Sequence, residues 1–191
     1  MPTDVSPDRL RGTTDSPEGK RRTVSLRLET VVASAPVPGH SPHDPGARLA
    51  GSDAVAALIV LDDGSYVLQL RDDKPDIWYP NHWGCFGGAV DAGEEPVEAL
   101  RRELYEELEL EFDEAEYFTR FDFDLTKLGA GRYHRTFYVV RVSAAQRAGF
   151  VLHEGKAFDA FAGETVCRDL RMTPYDAFAL FLHHAQSRIG G

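Results

Sequence analysis

The chain has 191 residues, of which 42% are hydrophobic and 27% are charged, a composition typical of a globular protein rather than a disordered or fibrous one. Its 31 acidic and 21 basic residues give a formal net charge of −10. This balance argues against general binding of duplex nucleic acid, because phosphate contacts require clustered Lys and Arg. An acidic surface would suit a protein that holds divalent cations, although it more often serves only solubility.

Cysteine content and hydropathy bear on the compartment. The two cysteines, Cys85 and Cys167, lie far apart and lack the spacing of a metal site, which predicts no disulfide framework and favours reducing cytosol. The first residues lack the apolar run of a secretory signal, and no stretch reaches the roughly 18 apolar residues of a membrane span. We therefore expect a cytoplasmic protein with no membrane partner.

Residues 1–48 differ from the rest of the sequence. Seven of the eleven prolines lie there, in a background of Ser, Thr, Asp and Gly. Such a mixture buries too little apolar surface to offset its ordering entropy, which predicts an irregular arm. Within it, RTVSLRLETVV alternates apolar and polar residues, so a strand near residues 23–32 could pair with the main sheet or with a partner chain in a homodimer.

From Ala54 the pattern becomes regular and predicts one domain over residues 49–191. Short segments rich in aromatic and β-branched residues, bounded by turn residues, predict strands at 55–62, 65–72, 84–90, 116–125 and 132–143 and a short one within 152–162. Helices are predicted at 96–108, with proline in the first turn, and at 173–186, capped by Thr173. This order of elements predicts an α+β fold, with a mixed sheet between helices.

The first predicted helix carries an unusual group of acids. On a helical wheel, Glu103, Glu106 and Glu107 share the flank beside an apolar stripe that includes Leu104 and Leu108. Like charges at these spacings repel, and more strongly where water screens them less. A solvated acidic face is the ordinary explanation for three glutamates, whereas a hard divalent cation such as Mg²⁺ would neutralise them.

The segment from Gly88 to Leu110 resembles the signature of the Nudix hydrolase family. That signature reads Gly, five residues, Glu, seven residues, Arg-Glu, an aliphatic residue, any residue, Glu-Glu, any residue, Gly and an aliphatic residue. Eight of its nine specified positions are filled here, by Gly88, Glu94, Arg102, Glu103, Leu104, Glu106, Glu107 and Leu110. The resemblance implies the Nudix-type α/β/α sandwich for the main domain and does not extend to the N-terminal arm.

One position departs from the signature. Glu109 stands where the family has glycine, at the predicted end of the helix. Glycine there would serve a left-handed C-terminal turn, which another residue adopts at a cost on the order of 1 kcal/mol. The departure therefore concerns the path of the following loop more than the chemistry.

The resemblance also implies roles for the site residues. Glu103, Glu106 and Glu107 would bind Mg²⁺ or Mn²⁺, with the Gly87 carbonyl as a further candidate ligand. Glu94 and Arg102 would form an ion pair that supports the turn into the helix. Some family members take the general base from the helix glutamates and others from an acid on a later loop, so the catalytic candidates are Glu106, Glu107 and Glu154.

Three further residues are candidates for substrate contact. Arg71 ends a predicted strand and could reach phosphates, although a surface arginine at a strand end is equally consistent with the sequence. Trp78, in the loop DKPDIWYPNHW, could stack on a base or could serve only in packing. Gly88 is the third candidate, as one of the two glycines before the helix.

The resemblance implies metal-dependent hydrolysis of a phosphoanhydride in a nucleoside diphosphate linked to another group X. Nucleotide sugars, dinucleotides and nucleoside triphosphates, including damaged ones, all remain open as small-molecule substrates. The alternative is a non-catalytic nucleotide sensor with the same fold, which would be expected to have lost a ligand glutamate. An isoprenoid diphosphate isomerase would need a well-placed cysteine and further histidine ligands, which Cys85 alone does not supply.

Overall fold

The computed structural model describes residues 51–189, with side chains as far as residue 186. The strands are β1 Ala54–Leu61, β2 Tyr66–Leu70, β3 Trp83–Gly84, β4 Glu116–Asp124, β5 Arg132–Val142 and β6 Ala157–Phe161. The helices are α1 Pro96–Leu108, α2 Ala144–Ala148, α3 Gly163–Arg168 and α4 Pro174–Ile189. Within these residues no helix is long and apolar enough to cross a membrane.

The strands form one mixed sheet covered by helices, which is the predicted α+β class. The order of the strands is β3-β2-β1-β5-β4. Strands β1 and β3 pair with different parts of β2, and β6 pairs with β2 along its whole length. Strand β1 runs parallel to β5, whereas the other pairs are antiparallel. Central strand β1 is apolar throughout because both of its faces are buried. Alternate residues such as Ala57 and Ile59 pack with the leucines of α1, whereas Leu58 packs with Leu180 of α4 on the opposite face.

Strands β1 and β2 separate where the carboxylate helix approaches the sheet. They pair directly only near the hairpin, at Ile59 with Val67 and at Val60 with Tyr66. Beyond that point the segment of residues 83–90 lies between them. Its start pairs with β2 through β3, and its later carbonyls, those of Phe86 and Gly88, accept hydrogen bonds from the β1 amides. The two glycines before α1 are therefore held inside the sheet rather than at its edge.

Some sequence predictions differ from the structure. The strand predicted over residues 84–90 is shorter, at Trp83–Gly84 only, and continues as isolated bridges at Phe86 and Ala89. Short helices α2 and α3 were not predicted, since five or six residues give too little periodicity to recognise. The predicted arm and its strand near residues 23–32 lie outside the described residues, and the domain boundary near residue 48 stays a prediction.

Candidate active site

Helix α1 is anchored by its apolar stripe and ends in a left-handed turn. It begins with Pro96 at its first position, and Leu100, Leu104 and Leu108 are fully buried against the sheet. Glu109 follows with φ 53° and ψ 30°, and its N–H closes the helix onto carbonyls of the last turn. The residue that replaces the family glycine therefore adopts the conformation for which glycine is preferred. The backbone path of the signature is retained despite the substitution.

The three glutamates on the flank of α1 differ sharply in exposure. The side chain of Glu106 is 60% exposed, that of Glu103 is 15% exposed, and Glu107 is only 4% exposed. The sequence predicted that the three lie side by side but not this gradient, because it depends on what covers each one. Glu107 faces the sheet, where residues 83–90 and β2 enclose it.

Glu107 is a buried carboxylate held by two neutral donors. Its Oε2 accepts a hydrogen bond from the Gly87 amide at 2.8 Å, and its Oε1 accepts one from the Gln69 side chain at 3.2 Å. Burial raises the pKa of Glu107 to about 8, and the negative charges of Glu154 and Glu103 add to the rise. Burial also raises the pKa of Glu103, against the opposing effect of Arg102. Ionisation of Glu107 is therefore costly in the metal-free protein, and a bound cation would offset that cost.

The two glycines before the helix are required for close approach. A side chain at Gly87, whose φ is +128°, would collide with the β1 backbone. A Cβ at Gly88 would lie 2.4 Å from the Glu103 carboxylate. The Gly87 amide meets Glu107 and Gly88 abuts Glu103, so the pair lies directly against two of the candidate ligands.

Arg102 braces the turn that leads into α1. Its Nε and one Nη donate to the two oxygens of Glu94 at 3.1 and 3.0 Å, and the same Nη donates to the Ala89 carbonyl at 2.9 Å. Its other Nη contacts Glu103 at 2.8 Å and Glu106 at 3.5 Å. These contacts raise the pKa of Arg102 and lower that of Glu94, so both stay charged. This two-point ion pair is the arrangement that the resemblance implied.

Glu154 lies on a loop that closes over the end of α1. The His153 amide donates to the Glu107 carbonyl at 2.9 Å, and His153 Nε2 lies 2.8 Å from Glu109 Oε1. The charge of Glu154 contributes to the raised pKa of both Glu103 and Glu107, which puts it in the electrostatic range of the cluster. The structure therefore places the loop of Glu154 beside the carboxylate helix, held there by contacts of His153 that the sequence did not reveal.

Arg71 and Trp78 lie together on the loop that follows β2. Arg71 Nε donates to the Trp78 carbonyl at 2.9 Å, and the Trp78 side chain is 38% exposed. In the same loop Tyr79 and Asn81 have positive φ values of 53° and 56°, which non-glycine residues adopt at a cost. Strained backbone of this kind is often found in functional loops, and a role of Arg71 and Trp78 in substrate contact stays a prediction.

Two other residues of this region bear on the site, one that sequence reasoning missed and one that it had set aside. Gln69, which sequence reasoning did not single out, is 2% exposed and contacts Glu107. A glutamine within a continuous apolar strand was the available signal, since buried polar side chains need partners. Cys85 is 1% exposed and burial raises its thiol pKa well above the usual value, so it is unsuited to the acid/base role that an isomerase would need.

The donor set fits a hard divalent cation in its chemistry. Glu103, Glu106, Glu107 and the Gly87 carbonyl offer only oxygen atoms, the ligands that Mg²⁺ and Mn²⁺ prefer. In residues 51–189 no three acidic, His or Cys side chains already converge on one point. Glu103 and Glu106 contact Arg102 instead, and Glu107 is hydrogen-bonded to Gly87. Charge and donor type therefore support a metal site, with the carboxylates paired within the protein.

Comparison with known families agrees with this geometry. A model of the NUDIX domain matches residues 52–181, which includes the whole sheet, the glycine pair and α1. The chain belongs to the Nudix family.

Curated relatives within the Nudix family match over a short stretch. The nucleoside triphosphatase NudI of Escherichia coli O139:H28 and that of Shigella flexneri are each 40% identical to the chain over 55 residues. This stretch is 28% of the chain and spans only 38% of the length of each of these relatives. It therefore supports a relationship and does not carry over the activity of the whole relative.

Solved Nudix structures match over most of the domain. A MutT protein from Methanosarcina mazei Go1 is 18% identical with a TM-score of 0.60, covering 74% of this chain and 97% of that one. A C. elegans Ap4A hydrolase is 16% identical with a TM-score of 0.55, covering 72% and 98%. At these identities the likeness shows the Nudix fold.

Proposed function

We propose that this Nudix protein is a metal-dependent hydrolase that splits the phosphoanhydride of a nucleoside diphosphate linked to a group X. Water would attack one phosphorus and release a nucleoside monophosphate and the phosphorylated remainder, or pyrophosphate where the substrate is a triphosphate. The observation that carries the proposal is the buried, hydrogen-bonded Glu107 beside Glu103 and the glycine pair, within a Nudix domain. Burial raises the pKa of Glu107 to about 8, and perturbed carboxyl groups of this kind cluster at functional sites.

In this proposal Glu103, Glu106, Glu107 and the Gly87 carbonyl hold Mg²⁺ or Mn²⁺. When bound, the ion would offset charge on the phosphate oxygens and lower the pKa of a water ligand. Arg102 keeps the helix and the glycine turn in register through its ion pair with Glu94.

The remaining roles belong to residues around the carboxylate cluster. Glu154 and the helix glutamates Glu106 and Glu107 are the candidates for taking a proton from the attacking water. Exposure favours Glu106 and Glu154 over the enclosed Glu107, because a base must reach the water that it deprotonates. Arg71 and Trp78, on the loop after β2, are proposed to contact the phosphates and an aromatic group of the substrate.

Substrate identity is open within this class. NudI is described as a nucleoside triphosphatase and one structural neighbour as an Ap4A hydrolase, so triphosphates and dinucleotides are the first compounds to test. We further propose a cytoplasmic location and small-molecule rather than duplex nucleic acid partners. Both rest on the composition, and pairing into a homodimer remains a prediction.

The decisive experiment is a hydrolysis screen with millimolar Mg²⁺ or Mn²⁺, roughly the excess that fills a weak carboxylate site. It would cover nucleoside triphosphates, dinucleotides and nucleotide sugars, with Glu106→Gln as the inactive control. The proposal expects product only with metal, and a large loss in the variant. Tight nucleotide binding without turnover of any class would instead support the sensor.

A further inference from the structure

Gln69 lies in β2 just beyond the point where β1 and β2 separate. It lies in β2 among the apolar residues YVLQL, yet it is one of the most buried polar side chains described, at 2% exposure. A buried amide has two donors and an acceptor that must be matched within the protein, or it costs stability. Its contacts therefore indicate why a polar residue is retained here.

The amide nitrogen of Gln69 joins the carboxylate helix to the glycine segment. It donates to Glu107 Oε1 at 3.2 Å and to the Cys85 carbonyl at 3.4 Å. From the other side the Gly87 amide donates to Glu107 Oε2 at 2.8 Å. Both oxygens of the buried carboxylate are thus oriented, one by backbone and one by Gln69.

The amide oxygen of Gln69 faces the loop that carries Glu154. A Cβ at Gly155 would lie 2.9 Å from Gln69 Oε1 and 3.0 Å from the Leu70 carbonyl, so this loop packs closely against β2. Gly155 also has a φ of +86°, which favours glycine. The next residue, Lys156, donates its amide to the Leu70 carbonyl at 2.8 Å. Gln69 consequently touches Glu107 on one side and the Glu154 loop on the other.

We propose that Gln69 is a positioning residue, which fixes the orientation of Glu107 and the distance between Glu107 and the loop of Glu154. The inference deepens the proposed function and rests on it. A neutral amide suits the task, because it orients a carboxylate without neutralising it. A lysine at this position would form an ion pair with Glu107 and compete with the metal, whereas an acid would add a further repelling charge.

The test is Gln69→Met, which keeps the length of the side chain and removes its hydrogen bonds. Binding of Mn²⁺ alone is measured by electron paramagnetic resonance, and kcat and KM are measured on the best substrate of the screen. Loss of an outer contact to a metal ligand typically weakens metal binding about 10- to 100-fold. We expect a loss of that size in Mn²⁺ affinity and at least a tenfold lower kcat, with KM changed less than about threefold.

The matched control is Tyr66→Phe. Tyr66 lies on the same strand and is 3% exposed. The substitution removes a buried hydrogen bond between the Tyr66 hydroxyl and His183 Nδ1 on the opposite face of the sheet. It should lower thermal stability to a similar degree and leave Mn²⁺ binding unchanged. If Gln69→Met does not fold, Gln69→Asn keeps an amide but shortens its reach to Glu107, and the same loss of Mn²⁺ affinity is expected.

Each outcome decides between the roles. Wild-type Mn²⁺ affinity and kcat in a folded Gln69 variant, with only the stability loss of Tyr66→Phe, would overturn the inference and leave Gln69 a packing residue. A wild-type chain that binds Mn²⁺ but hydrolyses nothing would overturn the proposed function, while the effect of Gln69 on Mn²⁺ affinity would still test the positioning role. A wild-type chain that binds no Mn²⁺ would overturn both.

Discussion

Replacing Glu107 by Gln should make the metal-free protein more stable at high pH and less stable at low pH. In the folded state burial raises the pKa of this carboxyl to about 8, against about 4.5 in the unfolded chain. Between these values the folded protein retains a proton that the unfolded chain has released. Stability therefore falls as pH rises from about 4.5 to about 8, and the full penalty is present above pH 8.

The size of this effect follows from the shift. Each pKa unit corresponds to about 1.4 kcal/mol, so a rise from 4.5 to about 8 costs about 5 kcal/mol when the carboxylate is ionised. The amide introduced by Glu107→Gln would carry no charge. Its NH₂ group cannot accept the hydrogen bond that Glu107 accepts from Gln69, and the loss of this bond costs about 1 kcal/mol. Near pH 4, where the wild-type carboxyl is protonated, the variant should thus be about 1 kcal/mol less stable than wild type. At pH 9 it should be more stable by roughly 4 kcal/mol, or about 10 °C in Tm for a domain of this size.

The assay is urea or thermal unfolding at pH 4, 7 and 9 with EDTA present. Glu106→Gln is the matched control, since it makes the same change on an exposed side chain and should differ from wild type by less than about 0.5 kcal/mol at every pH. Adding Mg²⁺ at pH 9 should stabilise the wild type but not the Glu107→Gln variant. A stability difference between Glu107→Gln and wild type that does not change with pH would refute the argument, because it would mean that the buried carboxylate pays no penalty on ionising.

Three other substitutions test the geometry of the site. Gly88→Ala should fold with a Tm within a few degrees of wild type but lose at least tenfold in kcat/KM. The added Cβ displaces the flexible carboxylate of Glu103 rather than backbone. A loss of Tm equal to that of a core mutation would contradict this explanation. Arg102→Lys cannot keep the two-point contact with Glu94 and should lower kcat roughly 10- to 100-fold, and unchanged kinetics would show that a single charge suffices. Glu109→Gly should be more stable than Glu109→Ala by about 1 kcal/mol in denaturant unfolding, since both lose the side chain and only glycine relieves the left-handed strain; equal stabilities would exclude such strain.

The sequence predicted the carboxylate helix well because the information there is local. The proline at its start, the leucine stripe and the acidic flank all lie within one segment, and α1 spans the predicted residues Pro96–Leu108. The glutamate at position 109, where the family has glycine, had put the path of the following loop in doubt, and the structure shows that the left-handed turn is present. The Nudix fold followed from the same signature and is supported by the NUDIX domain match.

The sequence could not predict which glutamate is buried, because that depends on contacts distant in the chain. Glu106 and Glu107 are adjacent on the same helix, yet one is 60% exposed in its side chain and the other is nearly enclosed. The difference arises from the Gly87 amide, 20 residues away, and from Gln69, 38 residues away. Neither Gly87 nor Gln69 lies in a helical or alternating sequence pattern that would indicate which glutamate it contacts.

The separation of β1 from β2 is what converts a common acidic helix into a candidate catalytic site. Had these strands paired along their whole length, the sheet would have satisfied its own backbone groups and left no amide for a carboxylate. Because residues 83–90 enter between the strands, the Gly87 amide donates to Glu107 instead of to a neighbouring strand. The side chain of Gln69 in β2 donates to the Cys85 carbonyl of the inserted segment. Burial between the helix and this part of the sheet raises the pKa of Glu107 by more than the hydrogen bonds from Gly87 and Gln69 lower it. The same glutamates on a helix over a regular sheet would lack both partners.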